Sequence, residues 1–170
     1  MNLAHDLDRR VAYGVVGGTF AGLLFLLANM WYADGQGLPA VAPLYDISTI
    51  FYFSDKPDPQ PINAAVGLVV HLTLAAAFGA TLAALAPLAR GAAQLAGLGA
   101  AFGLALYIVN FQILGRLVFE WFQEGPNQTF EVFAHLGYGL LLVPFVLQFA
   151  AAGGRSRASR PARAARRAAP

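Results

Sequence analysis

The chain has 170 residues and a formal net charge of +2; only 12% of its residues are charged, against 58% hydrophobic. A soluble domain carries roughly 25% charged residues, so the composition excludes an ordinary soluble globular protein. The absence of cysteine excludes disulfides, thiolate metal sites, iron–sulfur clusters and haem attached through Cys-x-x-Cys-His.

The apolar residues fall into four blocks, each long enough to cross a hydrocarbon layer of about 30 Å, which takes about 20 helical residues. Barrel strands would alternate apolar and polar residues, and these blocks do not. The expected fold is therefore all-α, a four-helix transmembrane bundle over residues 1–152. A polar head precedes helix one, expected over 11–32. That block is longer than a signal-peptide core, and no small-x-small site follows Asn29 to Tyr32, so it is expected to be retained. Residues 33–60 form one long loop rich in Pro and Gly. Within it Ile47, Ile50 and Phe51 are spaced i, i+3, i+4, which fits a short surface helix as well as it fits an extended aromatic segment. Helix two is expected over 61–88, with Pro61 suited to a first turn. Helices three and four follow over 92–119 and 128–152. Residues 153–170 contain little but Ala, Arg, Ser and Pro and are expected to be a disordered basic tail drawn to anionic lipid.

Charge sets the orientation. Arg9, Arg10, Arg90, Arg155, Arg157, Arg160, Arg163, Arg166 and Arg167 lie on one side of the spans, nine of the eleven basic residues. The opposite side holds Lys56 and Arg116 with Asp34, Asp46, Asp55, Asp58, Glu120, Glu124 and Glu131. The positive side is expected to be cytoplasmic, which puts both termini in the cytoplasm of a multi-pass protein of a bacterial inner membrane. Trp31, Tyr32 and Trp121 sit where an outer aromatic belt belongs.

The chain also reads as two helical hairpins in tandem. Gly18, Gly22 and Asn29 match Gly99, Gly103 and Asn110 at one offset; Asn63 and His71 match Asn127 and His135 at another. Since both hairpins start on the same side, their pseudo-two-fold axis would lie along the membrane normal. Independently of any repeat, Gly14, Gly18 and Gly22 form a four-residue stripe, as do Gly99 and Gly103. Such stripes let helix backbones approach closely.

Ionisable groups inside spans are costly and mark candidate sites. Glu131 and His135 share one face at i, i+4, and Gln112, Arg116 and Glu120 form a second such stripe. With Asn110 these residues are expected to form a polar network on the outer side, where Arg116 neutralises Glu120 or Glu131. The network could be purely structural. Three functional readings stand beside that one: a b-type haem held between His71 and His135, a quinone or lipid pocket anchored by His135 and Glu131, and proton or solute movement by a minimal oligomeric transporter or channel. Glu131, His135 and His71 are a weaker set for a metal, and none is expected. No phosphate loop, catalytic triad or nucleotide fingerprint occurs, so no catalytic residue is assigned, and nothing points to nucleic acid.

The segments GLALYIVNF (103–111), FEWF (119–122) and FAHLGYG (133–139) resemble a group of short bacterial four-helix inner-membrane proteins, some of which carry the label "sodium:proline symporter". The resemblance implies the four-span topology. The label conflicts with the physics of that fold, which needs inverted repeats and broken spans that four helices cannot supply. The function expected on balance is a non-catalytic subunit or accessory component of a larger membrane complex, bound to partner helices or to further copies of itself.

Overall fold

The computed structural model describes residues 3–54 and 56–167, with side chains described for 7–54 and 56–148; Met1, Asn2, Asp55 and residues 168–170 lie outside this range. Helix α1 (Leu3–Gly35) ends because Gly37 adopts φ 78°. There the Gly37 N–H bonds Asp34 O at 2.9 Å and the Leu38 N–H bonds Ala33 O at 3.0 Å, the paired closure of a helix end that glycine favours. Helix α2 (Ala42–Tyr52) occupies the long loop, with Pro43 in its first turn. Helix α3 (Pro61–Leu85) starts on its proline and tightens into a 3-10 turn over Ala86–Leu88. Helix α4 (Ala92–Tyr107) widens into a π-helical segment over Ile108–Leu114 and ends in the short α5 (Gly115–Leu117). A further short helix, α6 (Trp121–Glu124), precedes α7 (Gln128–Arg167).

Four stretches are long and apolar enough to cross a membrane: Leu7–Gly35, Pro61–Leu88, Ala92–Leu117 and Gln128–Gln148. The protein is thus an all-α, multi-pass membrane bundle. Helix one begins at Leu3, within the expected polar head, because nothing in residues 3–10 breaks a helix, and two further boundaries move. Helix three stops at Leu117, because Val118 leaves helical geometry at φ −135°, so Glu120 is not on its stripe. Helix four continues to Arg167, through the segment expected to be disordered. Ala and Arg are strong helix formers, a propensity that the charge-based expectation ignored. The tail's arginine side chains lie outside the described residues.

Glycines decide which helices touch. A Cβ on Gly14 or Gly18 would fall on the backbone of α3 around Ala75, Gly79 and Ala80, and one on Gly79 would fall on Gly14 and Gly18. In the second hairpin Gly99 and Gly103 lie against Gly139 and the His135 carbonyl. All five glycines expected to pack helices therefore pack helices of this bundle: Gly14, Gly18 and Gly22 join α1 to α3, and Gly99 and Gly103 join α4 to α7. The contacts also correspond at the two sequence offsets. Gly18 meets Ala75 and Gly79, while Gly99 meets Gly139 and Val143. The correspondence ends at the histidines, whose hydrogen bonds differ.

The hairpins join where α1 packs along α7, whereas α3 and α4 have little backbone contact with each other. In the half of the bundle near the 86–91 turn, large side chains bridge that gap. Phe78 and Leu82 of α3 and Leu98, Phe102 and Leu106 of α4 belong to one core with Ala21, Tyr138 and Leu142. In the opposite half, called the loop side below, no such plug exists. Helix α2 covers this end by docking on α3, where the absence of a side chain at Gly67 admits the Leu44 backbone. The buried residues of α2 are Leu44, Ser48 and Thr49. Ile47 and Ile50 instead face the interior, and Phe51 is 68% exposed.

Candidate functional site

The unplugged half holds a cavity of about 960 Å³, lined by α1, α2, α3, the π segment, residues 119–127 and α7. Its volume lies in the range of small-molecule sites, about 300–1,000 Å³. Helices α3 and α4 both contribute to its wall, with little backbone contact between them.

Most of the wall is apolar or aromatic, with Phe25, Phe78, Phe111, Phe119, Trp121 and Phe122 prominent. The π segment turns Val109, Asn110, Phe111 and Leu114 toward this space. Widened turns of this kind recur at functional sites, and one here is closed by the Gly115 N–H bonding Asn110 O, five residues back. The Phe111 carbonyl accepts a hydrogen bond from Gln123 Nε2, which ties the 118–127 segment to the π turn.

His71 and His135 both line the cavity, about 15 Å and about 10 Å by helical rise from the loop-side ends of α3 and α7. Each has one ring nitrogen committed. His71 Nε2 donates to the Gly22 carbonyl across the hairpin at 2.8 Å. His135 Nδ1 donates to the Glu131 carbonyl of its own helix at 2.8 Å. Phe25 packs on both, face to face with His71 at 5.8 Å and edge to face with His135 at 4.9 Å. A haem between the two would have to take His135 by Nε2 and His71 by Nδ1, the nitrogens left free, and Phe25 packs beside both imidazoles. Among the described residues no three His, Cys, Asp or Glu side chains group as a metal site.

The expected polar network divides in two. One part is a chain of hydrogen bonds from Arg116 to Gln112 (2.9 Å), Gln112 to the Tyr107 hydroxyl (2.8 Å) and that hydroxyl to Gln128 (3.0 Å). Gln128 Nε2 then donates to the Phe122 carbonyl at 2.8 Å. Tyr107 and Gln128 were not singled out from the sequence, yet they join the stripe on helix three to α7. Arg116 is exposed and neutralises neither Glu120 nor Glu131: the break at Val118 removes Glu120 from its face, and Gln112 takes its guanidinium. The other part is Glu131, 5% exposed, whose carboxylate lies 3.5 Å from His135 Nδ1. That N–H points to the Glu131 backbone carbonyl, so the carboxylate itself has no hydrogen bond. Asn110 also lines the cavity without a side-chain hydrogen bond.

Asp46 completes the site and was missed in the sequence, where it counted only as one more acid of the outer loop. Helix α2 turns it into the cavity, close enough to Glu131 for their charges to interact. Burial without a partner pushes its carboxyl up to about 6. Tyr138 closes the floor, its hydroxyl donating to Ala75 O at 2.7 Å and tying α7 to α3. The Trp121 Nε1, buried at the rim, has no partner.

Fold and site together define a class: a four-span membrane protein with a cavity in one half of the bundle. No family model, curated protein or solved structure matches the chain.

Proposed function

We propose that the protein binds a lipophilic small molecule inside the membrane, in the cavity between α3 and α4. The observation that carries this reading is the pairing of an apolar, aromatic wall of drug-site volume with a few unsatisfied polar groups, Asp46, Glu131 and Asn110. A closed structural network would satisfy such groups internally, since an unpaired buried carboxylate is expensive. Entry between α3 and α4, which have little backbone contact with each other, would give a lipid-dissolved ligand a path that avoids the aqueous phase. Of the functions expected from sequence, a ligand pocket or minimal transporter fits this best, whereas a haem would have to take His71 by its Nδ1. An accessory subunit would need close-approach surfaces for partner helices, and the two glycine stripes are spent within the bundle.

The membrane is proposed to be a bacterial inner membrane, with both termini cytoplasmic and the cavity in the outer leaflet. Support comes from the nine-to-two split of basic residues. Reporter fusions after Gly154 should read cytoplasmic and fusions near Pro57 periplasmic; the reverse would invert the cavity. The tandem hairpins are proposed to be a duplicated unit, on the matching glycine contacts.

The binding reading is tested with a neutral fluorescent lipophile, phenylnaphthylamine, titrated onto the protein in nanodiscs. One saturable site per chain, beyond the signal of empty nanodiscs and abolished by Asn110→Trp, is expected. Identical signals from the protein, the Trp variant and empty nanodiscs would refute it.

A further inference from the structure

The cavity's polar groups have a consistent bias, which selects the ligand's charge. Among the described residues three acidic side chains line it, those of Asp46, Glu124 and Glu131, and no Lys or Arg does. Glu124 is at the exposed rim, while Glu131 is 5% exposed and Asp46 is partly buried. Neither inner carboxylate receives a hydrogen bond, and the one ion-pair contact, from His135 to Glu131, is made by an N–H already given to a backbone carbonyl. Of the other titratable groups facing this space, His71 and His135 have each committed a ring N–H to a carbonyl and offer the remaining nitrogen as an acceptor. The Tyr138 hydroxyl proton is committed to Ala75 O. The titratable groups of the wall are therefore acidic or acceptors, and none is a cation.

That imbalance discriminates among lipophilic ligands. A phosphate or carboxylate head would meet two carboxylates and no cation. A quinone carbonyl needs donors, of which the wall offers the Asn110 amide and the Trp121 Nε1–H but no cation. A cationic head, by contrast, finds carboxylates and the faces of aromatic rings. Cations are drawn to aromatic faces within about 6 Å of the ring centre, more strongly where water is excluded. Phe25, Tyr32, Phe111, Phe119 and Phe122 surround the space that the two carboxylates enter.

We infer that the ligand is a cationic amphiphile, a protonated amine or quaternary onium on an apolar body, held by Asp46 and Glu131 and by the aromatic wall. The inference rests on the binding function proposed above and adds the charge of the ligand.

Two ions of nearly the same size and shape isolate the charge: tetraphenylphosphonium and tetraphenylborate. Each is titrated calorimetrically onto the protein in neutral nanodiscs at pH 7.5, alongside phenylnaphthylamine. The phosphonium is expected to bind one per chain and the borate not to saturate. Asp46→Asn and Glu131→Gln should each weaken phosphonium binding by roughly tenfold or more, as removal of one partner from a desolvated charge pair does, and by a larger factor than either changes binding of the neutral dye. Asp46 lies outside the spans, so its variant keeps the test open if Glu131→Gln fails to fold. Equal or tighter binding of the borate, or phosphonium binding indifferent to both substitutions, would overturn the cation inference while the neutral dye still reports the pocket. Loss of dye binding to the wild-type protein would instead overturn the pocket itself.

Discussion

Glycine packing yields the sharpest prediction about the fold. Gly18→Ala adds a methyl group that lands on the Ala75 carbonyl and 3.0 Å from Gly79 Cα. Both are backbone atoms, so no side chain can rotate away and α1 must move off α3. Gly97→Ala is the matched control, a glycine of helix α4 with nothing within 4 Å of its added Cβ. Both substitutions gain about 1 kcal/mol of helix propensity, which cancels in the comparison. The remaining difference is the overpacking cost at Gly18, about 1–3 kcal/mol. At about 2–4 °C per kcal/mol for a chain of this length, the two variants should differ in Tm by roughly 2–12 °C, with Gly18→Ala the lower. Gly99→Ala, whose Cβ would sit 2.6 Å from Gly139 O, should behave like Gly18→Ala. Thermal unfolding in one detergent, followed by scanning fluorimetry, makes the comparison. Equal Tm values for Gly18→Ala and Gly97→Ala would refute the assignment of the first stripe to the α1–α3 contact.

Other consequences are more local. Burial holds the Asp46 carboxyl at about 6, above the ordinary carboxylate range, so it is ionised at pH 7.5 and increasingly neutral as pH falls through 6. Phosphonium affinity should therefore drop between pH 7.5 and 5, with Glu131, Glu124, His71 and His135 the other titratable groups facing the ligand, and Asp46→Asn should flatten the part of that profile centred near 6. Tyr138→Phe removes the hydroxyl that bonds Ala75 O and should lower stability by about 1 kcal/mol, read as a shifted unfolding midpoint, without altering the cavity-lining carboxylates. Haemin titrated onto the protein should give no bis-imidazole absorption spectrum, since His71 Nε2 is engaged by Gly22 O and Phe25 packs beside both imidazoles; a spectrum of that kind, lost in both His71→Ala and His135→Ala, would contradict the geometry.

The spans were legible because their signals are local. Pro61 opens α3 and Gln128 opens α7 where expected, and the four apolar blocks match four crossing helices. The glycine stripes were legible as packing surfaces, but their partners were not. Gly79 and Gly139 carry the other side of those contacts and stand out only once the helices are paired. The π segment has no compositional mark: Ile108 to Leu114 reads as ordinary apolar helix, and its widening alters which residues face inward. Half of the site was visible, since Glu131, His135, His71 and Asn110 are polar residues in apolar text. Asp46 was not, because its role depends on α2 docking onto α3 through Gly67, a contact between segments that no spacing rule connects. The Arg116–Glu120 pairing failed for a local reason, the departure of Val118 from helical geometry.

The central claim is that the loop-side half of the bundle is hollow and takes a ligand from within the membrane. The chain contains no cysteine, so single cysteines report on it without background. Asn110→Cys would stand on the cavity wall, and Leu142→Cys in the closed core, where Leu142 is 1% exposed. With a membrane-permeant maleimide in nanodiscs, the rate of labelling should be at least about tenfold faster at position 110 than at 142, and saturating phenylnaphthylamine should suppress labelling at 110 alone. Equal rates at the two positions, or labelling at 110 that the lipophile leaves unchanged, would contradict the account.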